Sequence, residues 1–309
     1  MPIFSSIFFK IISILLSIIV GYFAGRFKKV DRETIANLIF YFIAPIVFFS
    51  VPASSNITFA DLGIVFIVYF ISSCLAIFSY YFYSKYWQDN TYNIIAMSSG
   101  TGNVGYFMLP IASMLFDFNT LSIYMLGVIG MNIYESSLGY YLCARSISST
   151  KESIIRVLKL PLFHAFLSGC LLSLIGVRLP NFLGDFIFNM KITYSILGML
   201  MVGLGISQLE RFVVDYKFTA HMFLSKYIFC PLFYIVFVFL DKFILGIYSS
   251  SEYQALILLS SAPLAANSIV ISSILKLQPE RVATTVLISS VFSLIFIPLT
   301  AIMILKFLG

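Results

Sequence analysis

The amino-acid sequence predicts an all-α membrane protein of ten transmembrane helices, built as two inverted five-helix repeats with broken crossover helices four and nine. Three observations carry this expectation. Apolar runs of bilayer length recur from end to end, basic residues concentrate in alternate connectors, and two runs in matching places are interrupted by glycine, asparagine and proline.

Of the 309 residues 60% are hydrophobic and 10% charged, and the mean hydropathy is +1.00. A hydrocarbon layer about 30 Å thick takes roughly 20 apolar residues per helix. Breaking the chain at charge and turn clusters gives segments at 3–25, 34–54, 62–84, 92–115, 119–143, 161–179, 187–208, 218–240, 253–276 and 281–305, the seventh being open to extension over Leu183 to Phe188. The first run is too long for a signal-peptide core and reads as a true span. The net charge of +6 would suggest nucleic acid in a soluble protein. Here the basic residues lie between apolar runs, where the bilayer interface accounts for them, so no nucleic-acid partner is expected.

Fourteen Lys and Arg residues fall in the odd connectors, among them Arg26, Lys28, Arg145 and Lys151, against five on the other side. This bias puts both termini away from the cytoplasm and the longest connector inside it, as a multi-pass protein of the cell inner membrane. The chain then divides into a first repeat at 1–145, a connector at 146–160 and a second repeat at 161–309. Five spans is an odd number, so the second repeat enters the membrane in the opposite sense. GYFAGRFKKV after span one and SLIGVRLPNF after span six echo one another.

Span four carries Ser98-Ser99-Gly100-Thr101-Gly102-Asn103-Val104-Gly105 and then Pro110. Each interior Gly costs a helix about 1 kcal/mol and each Pro about 3 kcal/mol. Non-helical backbone at membrane depth is tolerated only where protein or a polar cavity covers it. Gly100 to Gly105 also spells a dinucleotide fingerprint, which is rejected because no strand precedes it. Span nine carries Ser260-Ser261-Ala262-Pro263-Leu264-Ala265-Ala266-Asn267-Ser268 at the corresponding place. Paired interruptions in the two halves are the pattern of a carrier's binding site, the competing account being a proline kink packed on small residues. The candidate substrate residues are Gly102, Asn103, Gly105, Pro110, Pro263, Asn267 and Ser268.

Taken in order, NLIFYFIAPIVFFS in span two, GNVGYFMLP in span four, Lys226 with Pro231 in span eight and APLAANSIVIS in span nine resemble the auxin efflux carrier family over nearly the whole chain. The resemblance implies inverted five-helix repeats, crossing helices four and nine, elevator-like transport of a small organic anion such as a mono- or dicarboxylate, and a site made by Asn103 and Pro110 with Asn267 and Pro263. Span seven, MLMVGLGIS, departs from that pattern in lacking a proline. The alternative is a sodium-coupled carrier like the bile acid symporters, which share the inverted plan; more carboxylates would then be expected around the crossover. A channel is a third reading, since broken helices also build filters.

Glu135 lies deep within span five, three residues after Asn132 on the same helix face. A proton or cation relay and a structural hydrogen-bonding role are equally compatible with it. Lys226, a few residues into span eight, either stands in for a coupling cation or snorkels to the surface, and snorkelling is the preferred expectation. H+ and Na+ remain the candidate coupling ions. His164 and His221 read as interfacial, Gly21 and Gly25 as a close-packing pair, and Tyr80, Tyr81, Tyr83 and Trp87 as an aromatic belt. Cys74, Cys143, Cys170 and Cys230 are expected to pack as small side chains, without metal-ligand spacing. No nucleophile–base pair or His-Glu-x-x-His motif indicates an enzyme, no cofactor is implied, and a homodimer is allowed.

Overall fold

The computed structural model describes residues 2–28, 30–54, 59–144, 151, 161–207, 214–275 and 277–308. Among them every regular element is a helix, with no strand. The connector expected at 146–160 lies, except for Lys151, outside the described residues.

The elements follow the apolar segments. Helix α1 is Pro2–Lys28. α2 covers residues 32–54, with a π turn at Ile39–Ile43 and Pro52 in its last turn. α3 is Phe59–Tyr83. The fourth segment is two short helices, α4 at Thr91–Ser99 and α5 at Leu109–Leu115, with residues 100–108 unwound between them. α6 covers residues 118–144 and has a π turn at Glu135–Gly139; Asp117 caps it by accepting from the Thr120 amide at 2.9 Å.

In the second half α7 is Pro161–Leu174 and α8 is Gly184–Ser207, entered through a 3₁₀ turn at Asn181–Leu183. The doubtful start of the seventh segment therefore does join it. α9 is Tyr216–Leu245, with π turns at Ser225–Phe229 and Asp241–Leu245. The ninth segment is again two pieces, α10 at Ser250–Ser260 and α11 at Asn267–Ile274, and α12 is Pro279–Phe307. Among the described residues five stretches, in α1, α3, α8, α9 and α12, are long and apolar enough to cross a membrane. Bulky apolar side chains such as Phe66, Phe70, Phe239 and Phe243 stand exposed on α3 and α9, as lipid-facing residues of a multi-pass membrane protein do.

α1 packs along α8, α2 along α7, α3 against α4 and α6, and α6 against α10. The first of these contacts is as close as backbones allow. A Cβ built on Gly21 would overlap the Leu200 carbonyl, and one on Gly203 would overlap the Ile18 carbonyl. The Gly21/Gly25 pair therefore faces a glycine-lined stretch of α8, in keeping with the packing role read from the sequence.

The corner between α9 and α10 is tied by Asp241, which is fully buried. Its carboxylate accepts from the Tyr253 hydroxyl at 2.7 Å and the Tyr248 amide at 3.0 Å. Hydrogen bonds to a charged group contribute about 1.5–3 kcal/mol each. Asp241→Ala is expected to lower stability by about 2–3 kcal/mol, read as a fall in the thermal unfolding midpoint of the purified protein.

Two surface readings change. Tyr83 is fully buried and donates to the His221 carbonyl at 3.0 Å, while Trp87 Nε1 donates to His221 Nδ1 at 2.9 Å. These residues and His221 lock the end of α3 to the start of α9 instead of forming a free belt, because each ring's polar atom finds a partner on the facing helix. Tyr81 is exposed, as a belt residue would be.

Candidate functional site

The two unwound stretches meet. The Asn103 amide donates to the Pro263 carbonyl at 2.8 Å, and Ser98 Oγ donates to Ser268 Oγ at 3.2 Å. Unwinding frees backbone groups that must find partners at once, and the second stretch is served from outside as well: the Leu264 amide donates to Ser289 Oγ of α12 at 2.8 Å. Asn103 folds its own side chain back, Oδ1 accepting from the Phe107 amide at 3.2 Å. Pro110 sits in the first turn of α5, where a missing N–H leaves nothing unsatisfied, so it starts a half-helix rather than kinking one.

A small cavity opens beside this junction, lined by Gly102, Asn103, Gly105, Asn132 and Asn267 together with Tyr106, Tyr194, Ala265 and Ala266. Five of the residues singled out in the sequence thus converge on one space. Pro110, Pro263 and Ser268 frame the breaks without lining it. Tyr106 and Tyr194, whose ring centroids are 4.7 Å apart, close one side. Sequence reasoning missed both, since a tyrosine in a chain with 19 of them carries no signal.

Glu135 is buried and bridges the two breaks. Its Oε2 accepts from Thr101 Oγ1 at 2.5 Å and its Oε1 from Asn267 Nδ2 at 2.8 Å. Thr101 was not among the candidates although it lies within the glycine-rich stretch. Asn132 lines the cavity one turn before Glu135, so the expected shared face of α6 points to the site.

Lys226 corrects an expectation. It does not snorkel: it is fully buried, and Nζ donates to the Thr101 carbonyl at 2.8 Å, with Cys230 Sγ at 3.8 Å. The π turn at Ser225–Phe229 contains this residue, and π turns commonly mark such re-aimed side chains. Snorkelling loses because a freed carbonyl at the break offers the ammonium a charge-assisted bond at membrane depth. A Cβ built on Gly102 would stand 2.7 Å from Lys226 Nζ, 3.1 Å from Ala262 Cβ and 3.3 Å from the Pro263 carbonyl. Gly102→Ala should therefore wedge the junction apart, with overpacking strain of about 1–3 kcal/mol. A loss of solute exchange of at least roughly tenfold in reconstituted vesicles, with the protein still folded, is the expected result.

Among the described residues no group of three His, Cys, Asp or Glu side chains is placed to hold a metal ion. Comparison with curated proteins gives no match. Residues 192–309, from within α8 through α12, match the family model of the Sodium Bile acid symporter family. This overturns the resemblance to the auxin efflux carriers, a different family. Two of the motifs that suggested it, GNVGYFMLP and APLAANSIVIS, lie at the two helix breaks and report those breaks rather than one family. The second half of this membrane protein, including the Pro263–Asn267 break, is thus similar to a family of transporters.

Proposed function

We propose that this chain is a secondary carrier on the bile acid symporter plan, which moves a small organic anion through the junction of its two broken helices by elevator-like alternating access. The observation that carries this reading is the bond between the Asn103 amide and the Pro263 carbonyl, which joins both breaks beside a polar cavity. Freed amides and half-helix ends at such a junction suit solute and ion binding. The family match favours the symporter-like alternative weighed in the sequence over the efflux carrier. The cavity's polar lining of Asn103, Asn132 and Asn267 with the Tyr106 and Tyr194 rings suits a small polar solute. That favours a mono- or dicarboxylate over a steroid acid.

The same reading includes ten spans in two inverted repeats, at 1–145 and 161–309, around a cytoplasmic connector at 146–160. The pairing of α1 with α8 and α2 with α7 supports it: a two-fold axis relating the repeats exchanges spans one and six, and spans two and seven, and so converts one pair into the other. The basic bias supports an inner-membrane protein with both termini outside the cytoplasm. The site residues are Gly102, Asn103, Gly105 and Asn267, framed by Pro110, Pro263 and Ser268, with Glu135, Asn132 and Lys226 beside them.

Vesicles reconstituted with the protein and preloaded with unlabelled acetate, pyruvate, succinate, malate or taurocholate provide the test. Accelerated, saturable uptake of the same labelled acid is expected for at least one small carboxylate, with taurocholate as the comparison for a larger acid. Flux that neither saturates nor responds to the acid on the far side would make the protein a channel and refute the carrier reading.

A further inference from the structure

We infer that the Lys226 ammonium is a tethered cation occupying the position a coupling sodium would take at the break of the fourth helix, so that the crossover binds no sodium. The inference rests on the carrier reading and concerns its coupling. Carriers with broken helices hold sodium through carbonyls freed at half-helix ends. In this chain the carbonyl of Thr101, two residues beyond the end of α4, is taken: Lys226 Nζ donates to it at 2.8 Å. The same Nζ packs against Gly102, which has no side chain to hold it away, and Gly102 also lines the cavity.

Charge balance argues the same way. Glu135 approaches Thr101 through the hydroxyl and Lys226 through the carbonyl, so the acidic and the basic group meet at one residue of the break. Among the described residues neither is in an ion pair; the pair that forms is Arg281–Asp215, at 3.4 Å, on partly exposed side chains. The groups that bond Lys226 are neutral: the Cys230 thiol on its own helix and the Thr101 carbonyl across the junction. A sodium ion added here would be a second positive charge in a buried site of low dielectric, where like charges repel far more strongly than in water. It would also have to displace an ammonium that cannot leave, since it is covalently attached to a fully buried stem.

The test uses sodium itself as the probe. Thermal unfolding midpoints of the purified full-length protein are measured in sodium chloride and in choline chloride at equal ionic strength, together with binding of radioactive sodium at equilibrium. Wild type and Lys226→Arg, which keeps the charge, are expected to show the same midpoint in both salts and no saturable sodium binding. Lys226→Ala, which frees the Thr101 carbonyl and opens space beside Gly102, is expected to gain a sodium-dependent rise in midpoint; Lys226→Met, which fills the space without a charge, is not. Saturable sodium binding by the wild type overturns the inference. So does a folded Lys226→Ala protein that stays blind to sodium, because the Thr101 carbonyl would then not be a cation position. If Lys226→Ala does not fold, the wild-type measurement still decides. None of these readouts needs the organic solute, so failure of every acid in the vesicle assay would remove the carrier reading and leave the sodium result standing.

Discussion

Glu135→Gln should yield a protein that folds but exchanges its solute at least roughly tenfold more slowly than wild type, the equivalent of 1.4 kcal/mol or more. The substitution separates charge from shape. Glutamine keeps one carbonyl oxygen to accept from Asn267 Nδ2, and its amide can donate to Thr101 Oγ1, which turns from donor to acceptor. Both bonds to the two breaks are thereby re-formed, and what is lost is the acidic group across Thr101 from Lys226. Unchanged exchange in vesicles would assign Glu135 a hydrogen-bonding role alone. Glu135→Ala is the contrasting case. It strands the Thr101 hydroxyl and the Asn267 amide at a buried position, at about 1–3 kcal/mol each, and its loss of activity would report structure as much as charge. A second measurement ties the two charges together. If Glu135 balances Lys226 across Thr101, any stability lost in Glu135→Gln should be partly recovered in the double variant with Lys226→Met. Independent sites would add without coupling.

The outline of this arrangement was legible in the sequence, because hydrocarbon imposes its length on every span and because glycine, asparagine and proline cannot continue a helix at its centre. The interruptions at Gly100–Gly105 and at Pro263–Asn267 are found as unwound stretches at 100–108 and 261–266. What meets across them was not legible. The partner of Lys226 is a carbonyl 125 positions away, and no local pattern distinguishes a lysine that reaches such a group from one that reaches the surface. The π turns at Glu135–Gly139 and Ser225–Phe229, which contain the acidic and the basic residue that meet at Thr101, also escaped. They are single-turn adjustments of helices that have the same apolar composition with or without them. The family was misread for a related reason. Short motifs around a broken helix record what the break needs physically, and that need is common to carriers of one plan.

The glycine seam between α1 and α8 carries the other large expected effect. Gly203 meets backbone on two sides, the Ile18 carbonyl and the Tyr22 amide of α1, and Gly21 meets the Leu200 carbonyl in return. Side chains can rotate away from an intruding methyl group, but two helix backbones in contact can relieve the overlap only by separating. Gly203→Val is therefore expected to cost more than about 3 kcal/mol, beyond the usual range for overpacking, and to appear as a large fall in unfolding midpoint or as loss of monodisperse protein. Gly184→Ala, at the start of the same helix where a Cβ meets nothing within 4 Å, should leave the midpoint unchanged or slightly raised. The consequence would reach the site, because α8 also supplies Tyr194, whose ring closes the cavity against Tyr106, and Met199, whose sulfur lies 3.9 Å from Asn103 Nδ2. If Gly203→Val were as stable as wild type, α1 and α8 could not be in backbone contact. The symmetric pairing of α1 with α8 and α2 with α7 would then no longer support the inverted repeat.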